Sequence, residues 1–241
     1  DMDIRFSVMD KHEDFVQVIN ITGPFLETAA EPKVAVELAK MGNDELAELV
    51  EKYPDRFVGA VGNLPMNDMD AALDELDRVI NELHFKGIQI CTDINGKPLD
   101  SPEFMPLFEK MEKYNLPIWL HPMRPQTVPD YAAEDVSKYK IFHMFGWPYD
   151  TTVATSRLVF GGILEKYPDL KFITHHCGAM VPYFADRIIA QYDLYRFDES
   201  QFKSRHAQSL AQHPIEYFRM FYNDTALNGG TSSLMCAYDF F

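Results

Sequence analysis

FITHHCGAM, residues 172–180, is the stretch on which the fold turns. An apolar, β-rich run ends in two adjacent histidines, passes through Cys-Gly, and opens a helical pattern at Ala179. Imidazoles are polar, and burying them at a strand's end is unfavourable unless something there needs nitrogen donors. The stretch therefore reads as a strand, 171–175, delivering polar groups to its carboxyl end.

The same rhythm runs outward in both directions. Strands are expected at 16–22, 57–63, 87–91, 117–121, 171–175 and 219–224. Helical spacing fills 32–56, 68–85 (opened by an Asp cap), 101–115 (Ser at the cap, Pro just inside), 150–169 and 179–195, with a short helix after His213 and one more from Gly229. Alternating strands and helices imply βα units and a parallel sheet. A doubly wound sheet and a (β/α)8 barrel cut at both ends compete for this pattern. The first lacks its phosphate signature, since neither G-x-G-x-x-G nor G-x-x-x-x-G-K follows a strand. The second requires polar groups at the carboxyl ends of the strands, and the segments end in Thr22, Asn63, Thr92-Asp93, His121, His175-His176 and Asp224. The connection 123–149 is long for a compact domain and carries Arg124, His143 and Trp147, as expected of a lid or a site wall. The polar stretch 196–212 reads as a surface excursion or an oligomer contact.

Composition narrows the class. The chain has 241 residues, 46% of them hydrophobic, enough for a large core. A net charge of −15, without Lys/Arg clusters, argues against a nucleic-acid partner. No apolar run of about eighteen residues exists, so no membrane span is expected. No signal-peptide pattern opens the chain. The three cysteines, Cys91, Cys177 and Cys236, are odd in number and far apart, which fits a reducing compartment. A cytoplasmic protein is expected.

His121 follows four apolar residues in LPIWLHP, where a neutral imidazole suits a divalent ion such as zinc. The alternative is a core histidine bonded to a backbone carbonyl. His175 and His176 are adjacent, and neighbouring strand residues face opposite ways. One enters the site while the other packs outside, or the strand ends between them; a structural pair is the competing reading. Asp224, in FYNDTAL, is the best carboxylate available as a ligand, and a weak one, because a loop-bonding Asp explains it equally well. Cys177 as a nucleophile lacks a visible orienting group. His12, His84, His206 and His213 read as solvated or structural.

LPIWLHP, GWPYDTTVATSRLVFGGILEKYPDLKFITHHCGAMVPYFADRI and FYNDTALNGG together resemble the amidohydrolase-2 family. This is the branch of the amidohydrolase superfamily that includes aminocarboxymuconate-semialdehyde and γ-resorcylate decarboxylases. The resemblance covers roughly 16–240. It implies one α/β domain over 1–241, a TIM-type (β/α)8 barrel, with 123–149 as a loop or lid over the site. It implies four metal ligands, two from an H-x-H on the first strand, one ending the fifth and an aspartate in G-T-D on the eighth. The fifth-strand ligand maps onto His121, and the catalytic histidine of H-x-G maps onto His176, leaving His175 as its neighbour, which supports it or packs outward and is also a candidate for substrate contact. The chain contains neither H-x-H nor G-T-D. It reads as strands two to seven, the first and eighth strands being absent, so further residues are expected in the whole protein. The activity implied is metal-dependent, non-oxidative decarboxylation of a small carboxylated aromatic or muconate-like acid. Zinc is the first choice of metal and manganese the second. His176 would move a proton, Arg124 hold a carboxylate, and Trp147 with Phe145 form an aromatic wall. A hydrolase or hydratase on the same barrel is the rival enzyme; a non-catalytic barrel relic or binding subunit is the rival outside catalysis. A homodimer or other homo-oligomer is the assembly implied.

Overall fold

A computed structural model describes residues 1–12, 14–23, 25–196 and 210–241. The chain forms two compact units, Asp1–Gln89 and Ile90–Phe241.

In the first unit, α1 (Met2–Met9) is capped by Asp1, whose carboxylate accepts from the amides of Asp3 and Ile4. β1 (Gln17–Ile19) pairs in parallel with β2 (Phe57–Ala60). Between them lie α2 (Leu26–Ala29) and α3 (Pro32–Lys52). Pro sits in the first turn of α3, where its absent N–H has no intrahelical partner to lose, and Ala35, Ala39, Asn43 and Leu46 form its buried stripe. β3 (Gly62–Asn63) continues the β2 segment after Val61, whose amide bonds Ile19. α4 (Met69–Asn81) begins where expected, with the Asp68 carboxylate accepting from the Ala71 amide. The first half of β4 (Ile88–Cys91) pairs in parallel with β3. A polar cluster ties this unit together. Asn43, fully buried, donates to the Asn63 carbonyl and to Glu75 and accepts from the Asn63 amide. Glu75 in turn takes two hydrogen bonds from Arg78, which also donates to Asp44.

In the second unit, β4 is followed by a hairpin, β5 (Asp93–Ile94) and β6 (Lys97–Pro98). Asn95 and Gly96 at its tip have φ of 52° and 78°, the left-handed pair that a two-residue hairpin turn demands. A 3-10 turn, Pro102–Phe104, leads into α5 (Met105–Tyr114), and β7 (Pro117–His121) follows. α6 (Trp147–Phe160) is entered through a π turn, Phe142–Gly146. α7 (Ile163–Lys166) is separated from α6 by Gly161-Gly162, with Gly162 left-handed, so the single helix expected over 150–169 is two. β8 (Lys171–Thr174) and β9 (Tyr222–Asn223) complete a sheet in the order β4-β7-β8-β9, with parallel pairing of β7 to β8 and β8 to β9. α8 (Ala185–Arg196), α9 (Pro214–Phe218) and α10 (Thr231–Phe240) are the remaining helices named among the described residues.

Packing sets the strand faces. Ile118 and Leu120 of β7 are fully buried, whereas Pro117, Trp119 and His121 on the alternate face are only half-buried. Phe172 of β8 meets Phe108 edge-on at 5.8 Å and stacks on Phe221 at 5.6 Å. That core holds the carboxyl ends of β4, β7 and β8 level: the Thr92 amide donates to the His121 carbonyl and the His175 amide to that of Leu120. Two helix boundaries depart from expectation. The helix expected over 179–195 starts only at Ala185, because the preceding residues are spent in turns. α6 starts three residues before its expected start at 150, its first turn drawn from the long connection. His213 caps α9 through Nδ1, the structural role expected for it. Most of the 196–212 stretch, with His206, lies outside the described residues. No helix is long and apolar enough to cross a membrane among the described residues.

Candidate active site

The site is built at the ends of β7 and β8. Strand alternation turns His121 away from the Leu120 side. β8 stops at Thr174, one residue earlier than expected, and the chain then adopts left-handed backbone at His176 (φ 61°), Cys177 (56°), Gly178 (75°) and Ala179 (56°). For non-glycine residues this is unfavourable by about 1–2 kcal/mol each, so the turn persists only because its surroundings hold it. Gly178 is the position with no alternative: a Cβ there would collide with the Phe241 ring and Asn223 Oδ1. Asp224, just after β9, supplies the clamp. Its Oδ1 accepts from the amides of Cys177 and Ala226, and its Oδ2 pairs with His175 Nδ1 at 2.9 Å. The Met180 amide donates to Thr152 Oγ1 on α6.

The turn brings both histidines to the same side. His121 and His175 ring centroids lie 4.8 Å apart, His121 and His176 6.4 Å, and His175 and His176 6.2 Å. The choice posed by strand alternation, one histidine in and one out, is therefore bypassed: the strand ends before either of them. Trp147 lies over the group, 5.6 Å from His121 and 6.1 Å from His176, and donates its indole N–H to the Arg124 carbonyl. The π turn sets His143 one turn back from Trp147, ring to ring at 4.1 Å. His121, Trp147, His175, His176 and Asp224 thus converge. Arg124 is set apart from the rings. Its Nη1 meets Asp150 at 3.4 Å, and its side chain crosses Gly146 so closely that a Cβ there would strike Arg124 Cδ. Arg124 and Asp150, with Thr92, Asp93, Met123 and Tyr149, line a cavity of about 560 Å³ whose wall includes none of the imidazoles.

Electrostatics favour neutral rings at His121 and His176. Burial, reinforced by the neighbouring His175, pushes His121 down to about 4, and burial also lowers His176. Burial alone would raise Asp224, but hydrogen bonds from His175 and the amides of Ala226 and Cys177 outweigh it and hold the carboxyl below its ordinary value. Burial raises the Cys177 thiol, the opposite of what a nucleophilic thiolate needs. Burial also raises Asp150 against the pull of Arg124.

Neutral imidazole nitrogens are good donors to a borderline divalent ion. His121 Nδ1 bonds the Pro122 carbonyl at 2.7 Å, which fixes the tautomer with its lone pair on Nε2. A carbonyl-bonded Nδ1 is compatible with both readings of His121, core residue and metal ligand. Buried nitrogens with no hydrogen-bond partner among the described residues, His175 Nε2 and His176 Nδ1, lie in the same cluster. These residues fit part of a metal shell; among the described residues no group of three or more His, Cys, Asp or Glu side chains is arranged to hold an ion by itself. What the sequence did not reveal is the role of Asp224 as the buttress of His175, since its partner stands forty-nine positions away in the chain.

The sequence pattern of the family described as Amidohydrolase matches residues 3–224. A 2-amino-3-carboxymuconate-6-semialdehyde decarboxylase from Dictyostelium discoideum is 32% identical over 188 residues, 78% of this chain and 51% of that protein. A γ-resorcylate decarboxylase from Rhizobium sp. is 32% identical over 192 residues, 77% of this chain and 58% of that protein. The chain spans little more than half the length of these curated relatives. A dihydroxybenzoic acid decarboxylase from Polaromonas sp. JS666, solved with manganese and the inhibitor 2-nitroresorcinol, superposes with a TM-score of 0.76 at 27% identity, covering 98% of this chain and 70% of that one. The fold class is thus α/β, with the parallel strands of a TIM-type barrel.

Proposed function

The chain belongs to the amidohydrolase family, and on that premise we propose that it serves the metal-dependent, non-oxidative decarboxylation of a small carboxylated aromatic or muconate-like acid. The observation that carries this reading is the convergence of His121, His175 and His176 beneath Trp147, with His121 and His176 held neutral by burial. His121 would hold a divalent ion, manganese or zinc. When bound, such an ion supplies Lewis-acid stabilisation of negative charge on substrate oxygens.

The chain's own residues supply the rest. Trp147 offers a flat apolar wall for a planar ring or diene and excludes water from the imidazoles. Arg124, set apart from the rings and bonded to Asp150 at 3.4 Å, would hold a carboxylate only of a substrate that reaches into its neighbouring cavity. His176 is the proton carrier. As the bond between the substrate carbon and its carboxylate breaks, carbon dioxide leaves and the electron pair stays on carbon; His176, neutral at rest, takes up one proton from solvent and passes it to that carbon, returning to its neutral form. The left-handed backbone at His176 is the kind of local strain found where a side chain's aim matters more than its comfort. The small-molecule carboxylate is the partner, and self-association into a homodimer belongs to the same proposal.

Purified chain supplied with manganese and 2,6-dihydroxybenzoate tests the reading. Release of carbon dioxide with one equivalent of 1,3-dihydroxybenzene, abolished in His176→Ala, is expected. Consumption of a muconate-type acid by water addition, with no carbon dioxide, would move the assignment to a hydratase. No turnover of either acid, with metal bound, would leave the binding-subunit reading.

A further inference from the structure

We propose that the cavity of about 560 Å³ beside Arg124 is a second small-molecule site, separate from the imidazole cluster, and that it takes a free α-amino acid with an apolar side chain, bound as its zwitterion. Its volume is that of a small-molecule pocket. Its wall is shared by the β5–β6 hairpin, the chain just after β7 and α6, all within one compact unit. Thr92 is the residue that points to a ligand. It lines the cavity, is only 6% exposed, and its Oγ1 has no hydrogen-bond partner among the described residues. Its backbone is fixed, because its amide donates to the His121 carbonyl. Buried hydroxyls in folded proteins are ordinarily paired, so this one calls for a partner from outside the chain.

The charges in the wall define the ligand. Arg124 and Asp150 are both largely buried and meet through one contact of 3.4 Å, Nη1 to Oδ1. That leaves Asp150 Oδ2 and most of the guanidinium without a partner among the described residues. Asp93 stands in the same wall, with Oδ1 taken by the Gly96 amide at 2.7 Å. Burial, with a smaller push from Asp93, raises the Asp150 carboxyl against the pull of Arg124. The other arginine of the wall is spent, since Arg157 Nε and Nη2 hold both oxygens of Asp100. A simple carboxylate on Arg124 would face two aspartates, and a simple amine on the aspartates would face Arg124. A ligand with both charges on neighbouring atoms meets both needs, and the Thr92 hydroxyl can join either end. Leu99, Met123 and Val153 complete the wall with apolar surface for a side chain. The site also touches the wall of the imidazole cluster. The Arg124 carbonyl holds the Trp147 indole at 3.1 Å, and the Arg124 side chain crosses Gly146. A ligand drawn onto Arg124 therefore bears on the ring that lies over His121 and His176.

Calorimetric titration of the intact chain with L-leucine tests the site without reference to turnover. Binding is expected, with N-acetyl-L-leucine, which lacks the ammonium, and L-leucinamide, which lacks the carboxylate, each weaker by about 10-fold or more, as for a lost hydrogen bond to a charged group. Asp150→Asn should weaken L-leucine by about 10-fold and Thr92→Val by about fivefold. Both substitutions preserve side-chain shape, and thermal unfolding checks that the variants fold. 2,6-Dihydroxybenzoate should not displace L-leucine. In Trp119→Phe, which leaves Trp147 as the sole tryptophan, L-leucine should change the fluorescence. Absence of L-leucine binding, or binding that neither Asp150→Asn nor Thr92→Val alters, would overturn the proposal. Equal binding of N-acetyl-L-leucine or L-leucinamide would overturn the zwitterion. Displacement by 2,6-dihydroxybenzoate would make the cavity part of the substrate site, and an unchanged fluorescence would overturn the link to Trp147.

Discussion

Each unit of the chain contains a buried polar cluster, and the two are organised on opposite principles. In Asp1–Gln89, Asn43 and Glu75 are almost wholly buried, and each is met by a partner of the right kind: backbone groups of Asn63 for the amide, the Arg78 guanidinium for the carboxylate. In Ile90–Phe241, the imidazoles of His175 and His176 keep buried nitrogens without partners among the described residues, beside a backbone that passes through left-handed conformations. Beside the first cluster the Asn63 side-chain amide lacks a partner among the described residues, but the Asn43, Glu75 and Arg78 groups are paired with one another and lock the elements together. An unsatisfied cluster costs stability at every unpaired atom, and its persistence points to a bound ion or substrate.

That contrast can be broken from either side. The largest effect is expected at His176. His176→Gly should lower turnover by about 10²–10⁴-fold, the range for loss of a proton-transferring side chain. It should also be more stable than His176→Ala by about 1 kcal/mol, because glycine accepts a φ of 61° freely; urea unfolding of the two variants measures the difference. Equal stability would mean that the turn is not strained. The first cluster should behave in the reverse sense. Glu75→Ala removes a buried carboxylate that Asn43 and the half-buried Arg78 both bond, and should lower the unfolding free energy by about 2 kcal/mol while leaving metal affinity unchanged. Gly178→Ala tests the clamp and the turn together. A Cβ at φ 75° facing the Phe241 ring should destabilise by about 2 kcal/mol and, by moving His176, also lower turnover.

The smallest effect is on acid stability of the metal-free chain. His121 is held down to about 4 by burial and by His175. As the pH falls below the unfolded value near 6.5, the unfolded chain takes up protons that the folded chain refuses. Stability is therefore full above about 6.5 and declines toward about 4. His176, shifted in the same direction, adds to the decline. Thermal unfolding of His121→Asn across that window should show a shallower slope than the parent; an identical slope would remove His121 from the titration.

Much of the fold was legible because its signals are local. The Asp68 cap, the apolar spacing of α4 and the alternation of LPIWLHP all act over a few residues and appear as read. The hairpin at 93–98 is equally legible in Asn95-Gly96, a strong short-range turn signal, although it is not among the expected elements. The π turn before α6 and the late start of α8 were not legible, since both are set by tertiary partners: Trp147 bonding the Arg124 carbonyl, and Asp224 and Thr152 holding the turn after β8. For the site, the adjacency of His175 and His176 marked the place. Their arrangement did not follow from strand alternation, because alternation ends where the strand ends, at Thr174.

The central claim is that the ring cluster at the ends of β7 and β8 is a metal site. Its most direct test is the divalent metal content per chain of the purified protein after reconstitution with manganese or zinc, with His121→Ala beside it. About one tightly held ion per chain, lost in the variant, is the result expected. A parent chain that retains none, or an ion that survives in His121→Ala, would contradict it.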